Sequence, residues 1–167
     1  MQRRLVLIRH AEAAQAASDA DRPLTDRGLQ QAAALGRWLQ RGGLVPDRVV
    51  VSRARRAAQT WERAAARMTS PPAPIVDARI YDNTVDDLLT VLATTPSEAG
   101  IVALVGHNPS IGTLASVLDD GAGSPSARRD LQAGFPTGCV AVFGLETPFG
   151  AIAPGSATLT ACAVPHA

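Results

Sequence analysis

Three short apolar runs constrain this chain more than any other feature. Arg4 to Ile8, Arg48 to Val51 and Ile101 to Val105 are dominated by Val, Ile and Leu without polar alternation, the pattern of strands buried on both faces. Each is followed by a polar turn and then by an amphipathic stretch. After the first run, a loop containing Asp21, Pro23 and Leu24 leads to Thr25 and Asp26, which can cap a helix carrying Leu29, Ala32, Ala33, Leu35, Gly36 and Leu39 on its apolar side. Gly42 and Gly43 end it. After the second, Ser52 reads as the cap of a helix running to about Arg67. After the third, Gly106, His107, Asn108 and Pro109 turn the chain into a helix with an apolar stripe of Ile111, Leu114, Ala115 and Leu118.

The remaining segments fit the same alternation. Pro74 to Ala78 is a weaker strand, and Asp86 to Thr94 reads as a helix because Leu88, Leu89, Val91 and Leu92 cannot all alternate as a half-buried strand. Cys139 to Phe143 and Thr158 to Cys162 are two further strands. The Ala, Gly, Pro and Ser clusters near residues 70–74, 121–127 and 147–157 read as loops. Strands alternating with helices imply an α/β fold of three α/β/α layers, a mainly parallel central sheet flanked by helices, with ligands at the carboxyl ends of the strands. At 167 residues the chain is below the length at which cores split, so residues 1–167 are expected to form a single domain.

Bulk properties exclude some partners. Charged residues make up 19% and the formal net charge is +1, which gives no reason to expect nucleic acid or a membrane as partner. The apolar run at the N-terminus is broken by Arg9 and is far too short for a signal-peptide core or a spanning helix, so a cytoplasmic location is expected. Cys139 and Cys162 lack metal-ligand spacing and are expected to be reduced, buried and apolar in role. Trp38 and Trp61 lie in amphipathic helices and suit packing, and His166 suits solvent.

All sixteen basic residues are arginines, planar forks that hold phosphate or carboxylate at two points, although GC-rich coding is the simpler account of the composition itself. Their placement says more. Arg9 and His10 follow the first strand, Ser52, Arg53, Arg55 and Arg56 follow the second, and His107 follows the Ile101–Val105 strand. Two imidazoles and several guanidiniums at one sheet edge can converge on a pocket although they are far apart in sequence. Phosphoryl transfer needs an in-line nucleophile and fixed positive charge around the phosphoryl oxygens, and a neutral histidine supplies the nucleophile without a metal. A metal site built from His10, Glu12, Asp82 and His107 is the competing chemistry, but the neighbouring arginines would oppose a cation. No metal and no cofactor is therefore expected.

These residues resemble the histidine phosphatase superfamily, also called phosphoglycerate-mutase-like. Leu7-Ile8-Arg9-His10-Ala11-Glu12 is similar to its opening motif, and Asp21 through Gly28 with Gln31-Ala32 to its following loop and helix. Ser52 through Arg56 to Gln59-Thr60 fits the next motif, and Val105-Gly106-His107-Asn108-Pro109 the last. Phe135-Pro136-Thr137-Gly138 before a strand is similar to the small SixA-type branch, which includes phosphohistidine phosphatases. The match spans nearly the whole chain, and four motifs in order make it specific.

By position, the resemblance implies that His10 is phosphorylated while Arg9, Arg56 and His107 hold the phosphoryl oxygens. The family's spacing, four residues after the serine and three before the glutamine, selects Arg56 over Arg53 and Arg55. Two departures stand out: Arg53 where proline is usual, and Ala11 where glycine is common. The general acid is less defined. The nearest counterpart of the larger relatives' glutamate is Asp82 after Ile80, and Glu12 competes; an imidazole leaving group needs less help than an alkoxide. The resemblance thus implies a metal-independent phosphatase acting on a phosphohistidine protein or a small phosphorylated molecule. The alternatives are a mutase-like phosphotransferase and a non-catalytic phosphate-binding module.

Overall fold

The computed structural model describes residues 2–166. Six strands form one sheet in the order β3-β2-β4-β1-β5-β6: β1 (Arg3–Arg9), β2 (Arg48–Val51), β3 (Pro74–Val76), β4 (Ile101–Gly106), β5 (Val140–Leu145) and β6 (Thr158–Ala163). The pairs β1–β4, β2–β4 and β2–β3 run parallel, whereas β1–β5 and β5–β6 are antiparallel. The sheet is thus mainly parallel with an antiparallel edge.

Leu5, Val6, Leu7 and Ile8 are fully buried, as a strand sandwiched between two helical layers requires. Leu5, Leu7, Leu104 and Phe143 face one core with α3 (Val85–Ala93), α4 (Ser110–Leu118) and α5 (Pro125–Ala133). Val6, Ile8, Val49 and Val51 face the other, against Leu35 and Leu39 of α1 (Asp26–Arg41) and Trp61 of α2 (Arg55–Ala65). Each such apolar side chain contributes roughly 1.5–3 kcal/mol on burial. A Cβ on Gly36 would lie 2.1 Å from the Ala64 carbonyl oxygen, so glycine there is what lets α1 and α2 approach. Trp38 packs partly buried on the same layer, and Cys139 and Cys162 are free and buried with their sulfurs 3.9 Å apart. Among the described residues no helix is long and apolar enough to cross a membrane.

Thr25 caps α1 as expected, its Oγ1 accepting from the Gly28 amide, and Gly42 follows the helix end. Three expectations need correction. The segment 121–127 is not all loop: Ser124 accepts from the Ala127 amide and Pro125 opens α5. Residues 147–157 include a buried turn of 3-10 helix, Phe149–Ala151. Ser52 does not cap α2, which begins at Arg55 after Ala54 with no side-chain cap, because its hydroxyl is used elsewhere.

Register positions the functional edge. β1 and β4 pair Ile8 with Val105 and Arg9 with Gly106, so His10 and His107 leave adjacent strands at the same level. The His10 amide donates to the Gly106 carbonyl at 3.0 Å, and the Ser52 amide to the Val105 carbonyl at 3.1 Å. Three turns therefore open at one edge of the sheet.

Candidate active site

His10 is 7% exposed. Its Nδ1 lies 2.8 Å from the Ala11 carbonyl oxygen, so in the neutral ring Nδ1–H donates there and Nε2 keeps a free lone pair. Burial, reinforced by the charges of Arg56, Arg9 and Arg22, lowers its pKa to about 4. The ring is neutral at ordinary pH. His107 faces it with ring centroids 5.1 Å apart and planes inclined by 54°. Burial first, then His10 and Arg56, lower the His107 pKa to about 3. Its Nε2 is 2.7 Å from Ser52 Oγ, which also accepts from the Ala54 amide; its buried Nδ1 has no partner among the described residues.

Two guanidiniums join the imidazoles. Arg56, 6% exposed, enters from the first turn of α2. Arg9 Nη1 donates to the Phe135 carbonyl at 3.1 Å, and burial lowers the Arg9 pKa. The Nε atoms of both arginines are buried without partners among the described residues. A buried donor without an acceptor carries a desolvation penalty of roughly 1–3 kcal/mol, which an anion held between these groups would relieve. The cluster suits a tetrahedral oxyanion.

The surrounding motif residues fix this geometry. Thr60 Oγ1 accepts from the Ala11 amide at 3.0 Å and donates to the Arg56 carbonyl at 2.7 Å, tying α2 to the turn after the nucleophile candidate. Gln59 and Gln31 accept from the Leu24 and Glu12 amides. The Gly138 amide donates to the His10 carbonyl at 3.0 Å, and the Phe135 carbonyl takes Asn108 Nδ2 as well as Arg9. The Phe135–Gly138 segment therefore braces both β1 and the His107 turn.

The structure brings His10, Arg9, Arg56 and His107 together, and it does not bring the two candidate acids to them. Glu12 is held at the start of α1, where Thr25 Oγ1 donates to Oε1 at 2.9 Å and Arg27 lies 3.5 Å from Oε2. Asp82 is exposed, with no hydrogen bond to the cluster among the described residues. Its neighbour Tyr81 is the residue that reaches in, edge-on to His107 at 5.7 Å between ring centroids. Tyr81 Oη donates to Asp19 Oδ2 at 2.5 Å, and Arg53 stacks over the Tyr81 ring at 4.1 Å. Arg56 donates through Nη1 to the Asp19 carbonyl at 2.8 Å and through Nη2 to Asp19 Oδ2 at 3.1 Å. Arg55 is exposed. Asp19 and Tyr81 escaped the sequence reading, since neither belongs to a periodic pattern, although Tyr81 lies beside Asp82; Ser52, expected at this edge as a helix cap, instead meets His107. Among the described residues no group of three His, Cys, Asp or Glu side chains could hold a metal ion.

Comparison with known proteins decides the family. Residues 5–82 match the model of the histidine phosphatase superfamily, branch 1. Phosphohistidine phosphatase SixA of Escherichia coli strain K12 is 30% identical over 122 residues, covering 71% of this chain and 76% of that protein. The chain belongs to the histidine phosphatase superfamily. Its structure superposes on that of a protein assigned as phosphohistidine phosphatase SixA from Nakamurella multipartitia with a TM-score of 0.86 and 33% identity, covering 100% of this chain and 98% of the other. A protein histidine phosphatase SixA complexed with tungstate matches with a TM-score of 0.79 and 27% identity over 97% of each chain. Both belong to the SixA-type branch of this superfamily.

Proposed function

We propose that this phosphatase works through a phosphohistidine intermediate on His10, without a metal, and acts on a phosphohistidine protein or a small phosphomonoester. One observation carries the reading: two buried imidazoles, both neutral by burial, stand 5.1 Å apart beside two guanidiniums whose Nε donors have no partner among the described residues. The tungstate complex of a SixA relative supports it, since tungstate is a tetrahedral oxyanion.

In the proposed reaction His10 Nε2 attacks phosphorus and the leaving group departs with its bonding pair. Arg9 and Arg56 meet the charge on the phosphoryl oxygens, and His107 donates through Nδ1–H, a tautomer favoured when the Ser52 hydroxyl proton points at Nε2. The Ala11 carbonyl holds the His10 Nδ1 proton throughout. Water then attacks phosphorus, the pair returns to Nε2, and orthophosphate leaves. The guanidiniums supply the charge that a metal ion would otherwise bring, so activity should persist in excess chelator. For an ester substrate, Asp82 is the proposed donor to the leaving oxygen; Glu12 is held by Thr25 and Arg27.

The test is rapid quenching during turnover. Wild-type protein should carry acid-labile, base-stable phosphate, and His10→Ala should carry none and turn nothing over. Tight phosphate binding by a wild-type protein that never becomes labelled would refute the reading in favour of a binding module.

A further inference from the structure

We propose that the Asp19 carboxylate, held at the pocket mouth by Arg56 and Tyr81, selects substrates whose leaving group is a protonated nitrogen, so that P–N bonds are cleaved in preference to P–O bonds. This inference rests on the phosphohistidine reading of His10.

The argument begins with position. His10, His107 and Arg56 form a floor that is at most 8% exposed, whereas the Asp19 side chain is 55% exposed. In-line attack from that floor sends the leaving group toward the mouth, where Asp19 and Arg53 are exposed and Arg22 and Tyr81 half-buried. Arg22 is engaged by the Ala14 carbonyl and Asp19, and Arg53 by the face of Tyr81. Asp19 is the carboxylate that hydrogen-bonds into this cluster. Tyr81 foremost, with Arg22 and Arg56, lowers its pKa to about 2, so it has no proton to give an alkoxide.

Substrate binding then forces an exchange of partners. Among the described residues the Arg56 fork hydrogen-bonds to Asp19, its Nη1 on the carbonyl and its Nη2 on the carboxylate, and phosphoryl oxygens compete for the same N–H groups. When phosphate takes the fork, Asp19 Oδ2 gives up Arg56 and keeps Tyr81, Oδ1 keeps Arg22, and the carboxylate stays close to the bound dianion with one acceptor position vacated. A substrate that brings its own N–H at that place, such as the distal ring nitrogen of a phosphohistidine, restores the hydrogen bond and offsets the repulsion. The carboxylate also holds that ring in its protonated form, the better leaving group, much as a carboxylate orients and stabilises an imidazolium in a catalytic triad. The atoms balance: the N–P bond to His10 forms, the substrate's P–N bond breaks with its pair going to the ring nitrogen, and the distal proton stays on a departing neutral imidazole. A phosphomonoester offers no such donor and develops negative charge on oxygen beside a carboxylate.

The experiment compares a phosphohistidine peptide with 4-nitrophenyl phosphate, each on wild type and Asp19→Asn. The peptide's kcat/KM should fall roughly 10-fold or more in the variant, the loss of one charged hydrogen bond, while the aryl phosphate is unchanged or faster. Inorganic phosphate should inhibit the variant more strongly, because Arg56 is no longer shared with a carboxylate. A misfolded variant would weaken phosphate inhibition, which separates damage from selection. Equal losses on both substrates, or no loss on the peptide, overturns the assignment of Asp19. Failure of the wild type to label His10 from either substrate overturns the underlying mechanism instead, and this inference with it.

Discussion

Ser52 Oγ lies 2.7 Å from Nε2 of His107, although the two residues belong to different turns and the serine hydroxyl is fully buried. The contact exists because β2 and β4 pair in register up to Val51 and Val105, so the residues beyond them meet. When the Ser52 hydroxyl donates to Nε2, the His107 proton resides on Nδ1. Ser52→Ala should therefore leave a buried imidazole nitrogen unpaired, lower stability by roughly 1–3 kcal/mol, and reduce kcat about 10-fold with little change in KM. Urea unfolding and steady-state kinetics check the two effects separately, and a change confined to KM would contradict the role assigned to the pair.

Acid should be tolerated by the chemistry before it is tolerated by the fold. Burial lowers His10 to about 4 and His107 to about 3, while an unfolded histidine titrates near 6.5. Above about pH 6.5 both states carry neutral rings and the two groups are neutral to stability. As pH falls from there toward 4, the unfolded chain takes up protons that the folded chain refuses, and stability declines by at most about 1.4 kcal/mol per pH unit per histidine. The acid limb of kcat/KM should lie near 4, well below the ordinary imidazole value. Denaturation midpoints across pH 4–7 for wild type, His10→Asn and His107→Asn test the linkage; identical slopes in all three would remove these rings as its source.

The arginine cluster offers an internal control. Arg56 is buried and Arg55, its neighbour in the first turn of α2, is exposed. Arg56→Ala or His107→Ala should slow turnover by roughly 10²-fold or more, the scale of one lost transition-state donor, whereas Arg55→Ala should stay within twofold. Near-wild-type turnover in either of the first two variants would contradict the pocket assignment.

What was legible in the sequence follows from what leaves a local pattern. β1, β2 and β4 were readable because burial on both faces demands unbroken apolar runs, and the pairing of His10 with His107 then follows from residues placed just beyond strands. Helix α5 was not, because only Ala127 and Leu131 face the core while Arg128, Arg129 and Asp130 supply no apolar stripe; the Ser124-Pro125 start was its one signal. Asp19 and Tyr81 were illegible for a deeper reason. Asp19 opens one short 3-10 turn and Tyr81 follows another, both in irregular segments, and what makes them part of the site is contact with each other across 62 residues and of Asp19 with Arg56 across 37, which no window of sequence contains.

Asp82 gives the last separable prediction. Its side chain is exposed and unbonded to the cluster, so it can act only where a proton must be delivered from the open side of the pocket. The need for that proton scales with the basicity of the leaving group: an alkoxide requires it, a nitrophenolate scarcely does, and an imidazole already protonated at its distal nitrogen does not. Asp82→Asn should therefore slow alkyl phosphates about 10-fold or more, leave 4-nitrophenyl phosphate within twofold, and leave a phosphohistidine peptide unaffected. Plotting log kcat/KM against leaving-group pKa for both proteins reads this directly, since loss of the acid steepens the slope. Parallel lines for wild type and variant would remove Asp82 from the reaction.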